Sequence, residues 1–258
     1  MTRPLEIRVL GCHGGEMAGF NTPSLLIDES TLLDAGSFGG SLDLEQQLRI
    51  DHVLLTHAHI DHTKDLALFA DLVIGHRSRP VKVHASAGAM KVLRGDFFNN
   101  RLWPDFFSLP SPDAPVLQEA LITPRKDFRI GRMRVSPIPV NHPVETVGFL
   151  IRGPTGSFVY SGDTGPTEAL WKSAGKLRKL KLVFVECKFP NDLQIVADAA
   201  GHLTPRTLAG EIAQLDNARI PFYVYHVKPD WYARVVEQIE ALADERIHIL
   251  QVGDRFQV

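Results

Sequence analysis

Thr56-His57-Ala58-His59-Ile60-Asp61-His62 sets three imidazoles and a carboxylate between an apolar run, His52-Val53-Leu54-Leu55, and a segment of helical spacing, Thr63 to Ala70. The apolar run reads as a buried strand and the segment after it as a helix, so the polar stretch is a strand-to-helix loop. Side chains two apart in extended backbone share a face, which points His57 and His59 the same way. Asp61 and His62 stand where the backbone turns into the helix and reach a second point close to the first. Neutral imidazole suits zinc, iron and manganese, and a carboxylate among imidazoles suits a hydrolytic site that keeps one position open for water. A loop whose histidines bond only to backbone is the bland alternative; a lone His would favour it, and this spacing favours metal.

Further strand ends deliver more candidates. Phe128 to Val140 reads as two strand halves around Gly131 and ends at Asn141-His142-Pro143. Strands at 148–151 and 157–160 lead into Ser161-Gly162-Asp163-Thr164-Gly165-Pro166, where flanking glycines let backbone approach a metal closely and leave the Asp163 carboxylate free to bridge two ions. Taken alone, Asp163 would be a turn-capping residue; beside the earlier histidines it reads as a ligand. Leu180 to Val185 is an apolar strand ending in Glu186-Cys187, and Pro221 to Tyr225 is another, ending in His226. Between them, Gly201-His202-Leu203-Thr204-Pro205 opens a helix with Thr204 as its N-cap and Leu208, Ile212 and Leu215 on one face. That arrangement places His202 just ahead of a helix N-terminus.

The remaining segments frame these. Leu5 to Leu10 alternates as a half-buried strand, and 24–28 with 31–34 reads as a hairpin turning at Glu29-Ser30. Val81 to His84 is a strand, followed by a helix capped by Ser86, and His84 is expected to be structural. Phe97 to Phe107 is aromatic and polar by turns, with packing favoured over base recognition on composition alone. Pro110 to Pro115 reads as an exposed loop, 230–242 as the last long helix, and 247–258 as two short strands around Gly253-Asp254.

With 258 residues, 44% of them hydrophobic and 22% charged, the chain is sized for a single domain, 1–258, with a sizeable core. A net charge of −2 supplies no general basic field for a long polyanion, while leaving room for a local patch. Cys12 and Cys187 have neither metal spacing nor a framework of pairs, which suits a reducing compartment. No run is apolar and long enough to cross a bilayer and the first residues carry no signal core, so the expectation is a cytoplasmic protein without a membrane partner.

His57-Ala58-His59-Ile60-Asp61-His62 resembles the first metal motif of the metallo-β-lactamase superfamily, His-x-His-x-Asp-His, and the later candidates follow in that superfamily's order. The resemblance implies an α/β fold, the αββα four-layer sandwich. It implies two divalent cations, zinc before manganese or iron. His57, His59 and His142 would hold one, Asp61, His62 and His226 the other, and Asp163 would stand between them. His202 is then the candidate general acid, oriented by Glu186, and Thr204 a residue that positions phosphate.

Two branches resemble this chain. The tRNA 3′-processing endonucleases share the His202-Leu203-Thr204 loop in the form His-Ser-Thr. The class II 3′,5′-cyclic nucleotide phosphodiesterases match more: Phe98 to Phe106 is similar to their Phe-Asn-x-x-x-Trp-Pro segment, Asp163-Thr164-Gly165-Pro166 to their Asp-Thr-Gly-Pro loop, and Glu186 to Pro190 and Gly201 to Pro205 to later motifs. That branch implies hydrolysis of cyclic AMP or cyclic GMP, a small nucleotide as partner, substrate contacts at Asn99, Trp103 and Thr204, and homodimers in many members. Ile60 stands where Leu is usual, and Lys188 where a small Ser is usual. The rivals are a tRNA endonuclease, an iron oxygenase on the same fold, and a non-catalytic subunit, against which the complete ligand set argues.

Overall fold

A computed structural model describes residues 3–215 and 219–258. Five strands open the chain, β1 (Glu6–Gly11), β2 (Ser24–Ile27), β3 (Thr31–Leu33), β4 (His52–Leu54) and β5 (Val81–Ala85). A small hairpin, β6 (Pro110–Ser111) with β7 (Ala114–Pro115), and then β8 (Leu117–Leu121) follow. Next come β9 (Phe128–Ile130), β10 (Met133–Pro139), β11 (Val147–Arg152), β12 (Ser157–Tyr160), β13 (Leu180–Glu186), β14 (Phe222–Tyr225) and β15 (Ile247–Ile249), and β16 (Arg255–Gln257) closes the chain. One seven-stranded sheet runs β16-β1-β2-β3-β4-β5-β8 and a second runs β15-β14-β13-β12-β11-β10-β9. Each is antiparallel over one half and parallel over the other, from β3 to β8 in the first and from β12 to β15 in the second.

Period-two side chains build the layers. In β13, Leu182 and Phe184 face the core between the sheets, where they join Ile7, Val9, Leu54, Phe149 and Tyr225. Val183 and Val185 face outward, against Leu170 and Trp171 of α4 (Glu168–Ala174), Leu208 and Ile212 of α6 (Pro205–Ile212) and Val235 and Ile239 of α7 (Tyr232–Glu240). A strand buried on both faces has to read as a continuous apolar run, and this one does. On the other side, Val53, Val81 and Val83 pack against Leu66, Phe69, Ala70 and Val73 of α2 (Asp65–Val73), whose spacing is one helical stripe, and against Ala89 and Met90 of α3 (Ala87–Val92). The order is helices, sheet, sheet, helices, the αββα sandwich expected from the sequence.

Several elements went unread in the sequence. Helix α1 (Leu44–Leu48) begins at a capping box between Asp43 and Gln46, a signal present in the letters. Helices α4 and α5 (Gln194–Ala200), both short, and strand β8 also form. The stretch 110–115, expected as a loop, pairs Pro110 with Pro115 and Ser111 with Ala114. His84 packs as a structural residue, its Nε2 3.0 Å from His52 Nδ1 and its ring stacked on Phe128 at 5.5 Å. Among the described residues no helix is long and apolar enough to cross a membrane.

Candidate metal centre

The loops after β3, β4, β10, β12, β13 and β14 meet at one edge of the sandwich. The loop after β4 turns through a short 3-10 helix, Ile60–His62, before α2, so His57 and His59 face one point while Asp61 and His62 face its neighbour. The ligand atoms of His57, His59, His142 and Asp163 lie within 4.8 Å of one another, and so do those of Asp61, His62, Asp163 and His226. Asp163 belongs to both groups. Its Oδ2 is 3.7 Å from His57 Nε2 and 3.4 Å from His226 Nε2, and its Oδ1 is 3.3 Å from His62 Nε2.

Each imidazole is turned by what its outer nitrogen holds. His57 Nδ1 donates to Thr56 Oγ1 at 3.0 Å, and that hydroxyl in turn donates to Asp34. His62 Nδ1 donates to Asp34 Oδ2 at 2.8 Å, which leaves Nε2 3.3 Å from His226 Nε2. His142 Nδ1 donates to the Gly201 carbonyl at 2.9 Å, leaving Nε2 3.3 Å from His59 Nδ1. Asp34, fully buried, also accepts from the Thr56 N–H at 2.9 Å and the Tyr160 hydroxyl at 3.0 Å. It orients both ligand groups, and the sequence reading passed over it as the end of a hairpin strand. An acidic residue closing the apolar run Leu32-Leu33 was the signal available.

Backbone conformation shapes the Asp163 turn. Gly162 adopts φ +65°, and a Cβ there would stand 2.8 Å from the Val147 carbonyl, so the turn is closed to larger residues.

The residues fit divalent cations. His57 Nε2 and both Asp163 carboxylate oxygens are buried without a hydrogen-bond partner, a costly arrangement that ions between the two groups would resolve. Burial and His62 hold His57 well below the usual imidazole range. Burial works to lower His62 too, but Asp163 and Asp34 outweigh it and hold that ring well above the usual range. Burial works to raise Asp163, yet His226 and His62 keep its carboxyl well below the usual range.

Beside the ligands, His202 Nδ1 lies 2.7 Å from Glu186 Oε1. Glu186 is fully buried and also accepts from the Thr164 N–H at 2.9 Å and the Leu203 N–H at 3.3 Å. Burial and Asp163 push Glu186 up to about 8, and burial pushes His202 down to about 4, so this pair shares one proton rather than holding a separated charge pair. Glu186, His202 and His226 also lie close enough to hold a cation, but the direct Glu186–His202 bond already satisfies two of the three. His202 Nε2 faces Lys188 Nζ at 3.3 Å.

The three positions expected to touch substrate have their polar groups engaged in the chain. Asn99 Oδ1 accepts from the N–H groups of Arg101 and Leu102 at 2.9 and 2.8 Å, and its Nδ2 donates to Gly95 O. Trp103 Nε1 donates to the Ala67 carbonyl at 3.0 Å, and its ring packs on the core under α2. Thr204 is the N-cap of α6, with its hydroxyl donating to Gln194 Oε1 at 2.7 Å. Within the chain these polar groups shape loops and a helix start. A cleft of about 320 Å³ lies beside His59, lined by Ala58, Gly88, Ala89, Val92, Val144 and Glu145.

Comparison with known proteins bears on this edge. Residues 35–227 match the family described as the beta-lactamase superfamily domain. The chain is 28% identical to a probable 3′,5′-cyclic-nucleotide phosphodiesterase of Yersinia pestis, over 89% of this chain and 80% of that protein. It is 29% identical to a ribonuclease Z of Methanopyrus kandleri, over 60% of this chain and 52% of that protein. In structure it is similar to unliganded yeast PDE1, with a TM-score of 0.84 at 19% identity, covering 99% of this chain and 100% of that one.

Proposed function

The chain belongs to the beta-lactamase superfamily, and from that premise we propose that it is a two-cation phosphodiesterase opening 3′,5′-cyclic nucleoside monophosphates to 5′-monophosphates. The observation that carries the reading is Asp163, a buried carboxylate shared by two complete ligand groups and lacking hydrogen-bond partners of its own. Zinc suits the imidazole-rich donors first, with manganese or iron also compatible.

When bound, a pair of divalent cations lowers the pKa of water and offsets the charge of phosphoryl oxygens. His57, His59 and His142 hold one side, Asp61, His62 and His226 the other. The cleft beside His59 takes the nucleoside, apolar walls against the sugar and base. As the oxygen of a water bonds to phosphorus and the bond from phosphorus to the 3′-oxygen breaks, His202, oriented by Glu186, delivers a proton from Nε2 to that 3′-oxygen. Cys12 and Cys187 are buried and unpaired, in keeping with a reducing, cytoplasmic setting for such a substrate.

The similarity to the Yersinia protein supports the cyclic diester, and that to the ribonuclease Z supports tRNA 3′-end cleavage as the second reading. Coverage favours the first. The deciding experiment assays cation-loaded protein and its Asp163→Ala variant on cyclic AMP, cyclic GMP and bis(p-nitrophenyl) phosphate. The expected result is 5′-monophosphate from the native protein only. Cleavage of the artificial diester alone would retire the cyclic nucleotide and send a precursor tRNA into the same assay.

A further inference from the structure

Lys188 follows β13 by two residues, and its backbone is pinned on both sides. Its N–H donates to the Leu203 carbonyl at 3.1 Å, and its carbonyl accepts from the Lys228 N–H at 3.2 Å. The side chain, 15% exposed, ends with Nζ 3.3 Å from His202 Nε2 and 4.0 Å from Asp61 Oδ2. An ammonium this deep calls for an anionic partner.

Neither neighbour is a lasting one. His202 is held by Glu186 through Nδ1 and is an imidazole, so it brings Lys188 no negative charge. Asp61 belongs to the second ligand group, and a cation seated there takes its carboxylate. Loading the centre therefore removes the counter-charge of Lys188 while adding positive charge nearby. The group that restores balance is an anion lying between Asp61 and His202.

We propose that Lys188 is a substrate-binding and specificity residue whose ammonium takes a non-bridging phosphoryl oxygen on the His202 side of the centre. A flexible point charge suits that contact. It favours a phosphodiester, whose reacting group is itself anionic, over an ester or amide, whose reacting carbonyl brings no charge to the ammonium. The effect on turnover rests on the phosphodiesterase reading; the binding of a phosphoryl anion does not.

The test compares native protein with Lys188→Met and Lys188→Arg, all cation-loaded. It measures metal content, the Kd for inorganic phosphate by calorimetry, and kcat/KM for bis(p-nitrophenyl) phosphate. Lys188→Met is expected to keep its cations and bind phosphate about 10- to 100-fold more weakly, the scale of one charged hydrogen bond. Lys188→Arg is expected to recover most of that loss, and kcat/KM to follow the same order. Unchanged phosphate affinity in Lys188→Met overturns the proposal, whether or not an extra cation is bound in its place. Should Lys188→Met lose its cations, Lys188→Gln is read the same way, and loss of metal there too means a structural role and overturns the proposal. If the native protein cleaves no diester while phosphate binding still depends on Lys188, the phosphodiesterase reading fails and the anion site stands.

Discussion

His62 and Asp34 meet at 2.8 Å, Nδ1 to Oδ2, with both side chains fully buried. Tyr160 reaches the same carboxylate from the opposite sheet at 3.0 Å, so one acid fixes a ligand imidazole, the Thr56 hydroxyl behind His57, and the contact between the two sheets at this edge.

Asp34→Asn should keep the fold and lower cation affinity by about 10- to 100-fold, as expected for loss of a carboxylate behind a ligand imidazole. Competition against a chromogenic chelator measures it. Equal affinities in the two proteins would leave Asp34 as a packing residue.

His202→Ala should retain its metal while turnover of a cyclic nucleotide drops by about two to four orders of magnitude, the scale of a lost general acid. With bis(p-nitrophenyl) phosphate, whose leaving group needs little protonation, the drop should be much smaller. Equal losses on both substrates would assign His202 to something other than the leaving oxygen.

Thr204→Ala should cost about 1 kcal/mol of stability through the lost cap of α6 and leave the KM for a diester in place. Thermal melts and steady-state kinetics separate the two quantities. A raised KM with an unmoved melting temperature would return Thr204 to the substrate.

Acid should weaken the fold through His84. Burial and the neighbouring His52 push its pKa down to about 3, below the ordinary imidazole value of about 6.5. The folded state thus prefers the neutral ring: the contribution is full above that ordinary value and is lost as pH falls from there toward the folded pKa. One pKa unit corresponds to about 1.4 kcal/mol. Melts of chelator-treated protein from pH 7 to 4 should show a shallower decline for His84→Gln than for the native chain, and parallel declines would exclude the pair as the cause.

Much of the centre was legible because its residues are dense or punctuated. The loop from Thr56 to His62 needed only its spacing, and Asp163 only its glycines and a preceding apolar strand. Asp34 was not legible, since its partners, Thr56, His62 and Tyr160, come from the loop after β4 and from the second sheet, and no local pattern announces a contact across that distance. For Thr204 the letters carry two readings. A hydroxyl beside a candidate acid looks like chemistry, whereas Pro205 and the capping box with Thr207 had already engaged it locally. Helices α4 and α5 were missed because they span two turns or less, too few to display a stripe.

The candidate ligands hang from both sheets: His57, His59, Asp61 and His62 on the loop after β4, and His142, Asp163 and His226 on loops of the other sheet. On the proposed reading, cations held there would cross-link the two halves of the sandwich along one seam. Free ion at a hundred times its Kd adds about 2.7 kcal/mol to the resistance against unfolding. An environment that withdraws such cations would then loosen the seam as well as stop the proposed reaction, and the protein's lifetime would depend on metal supply.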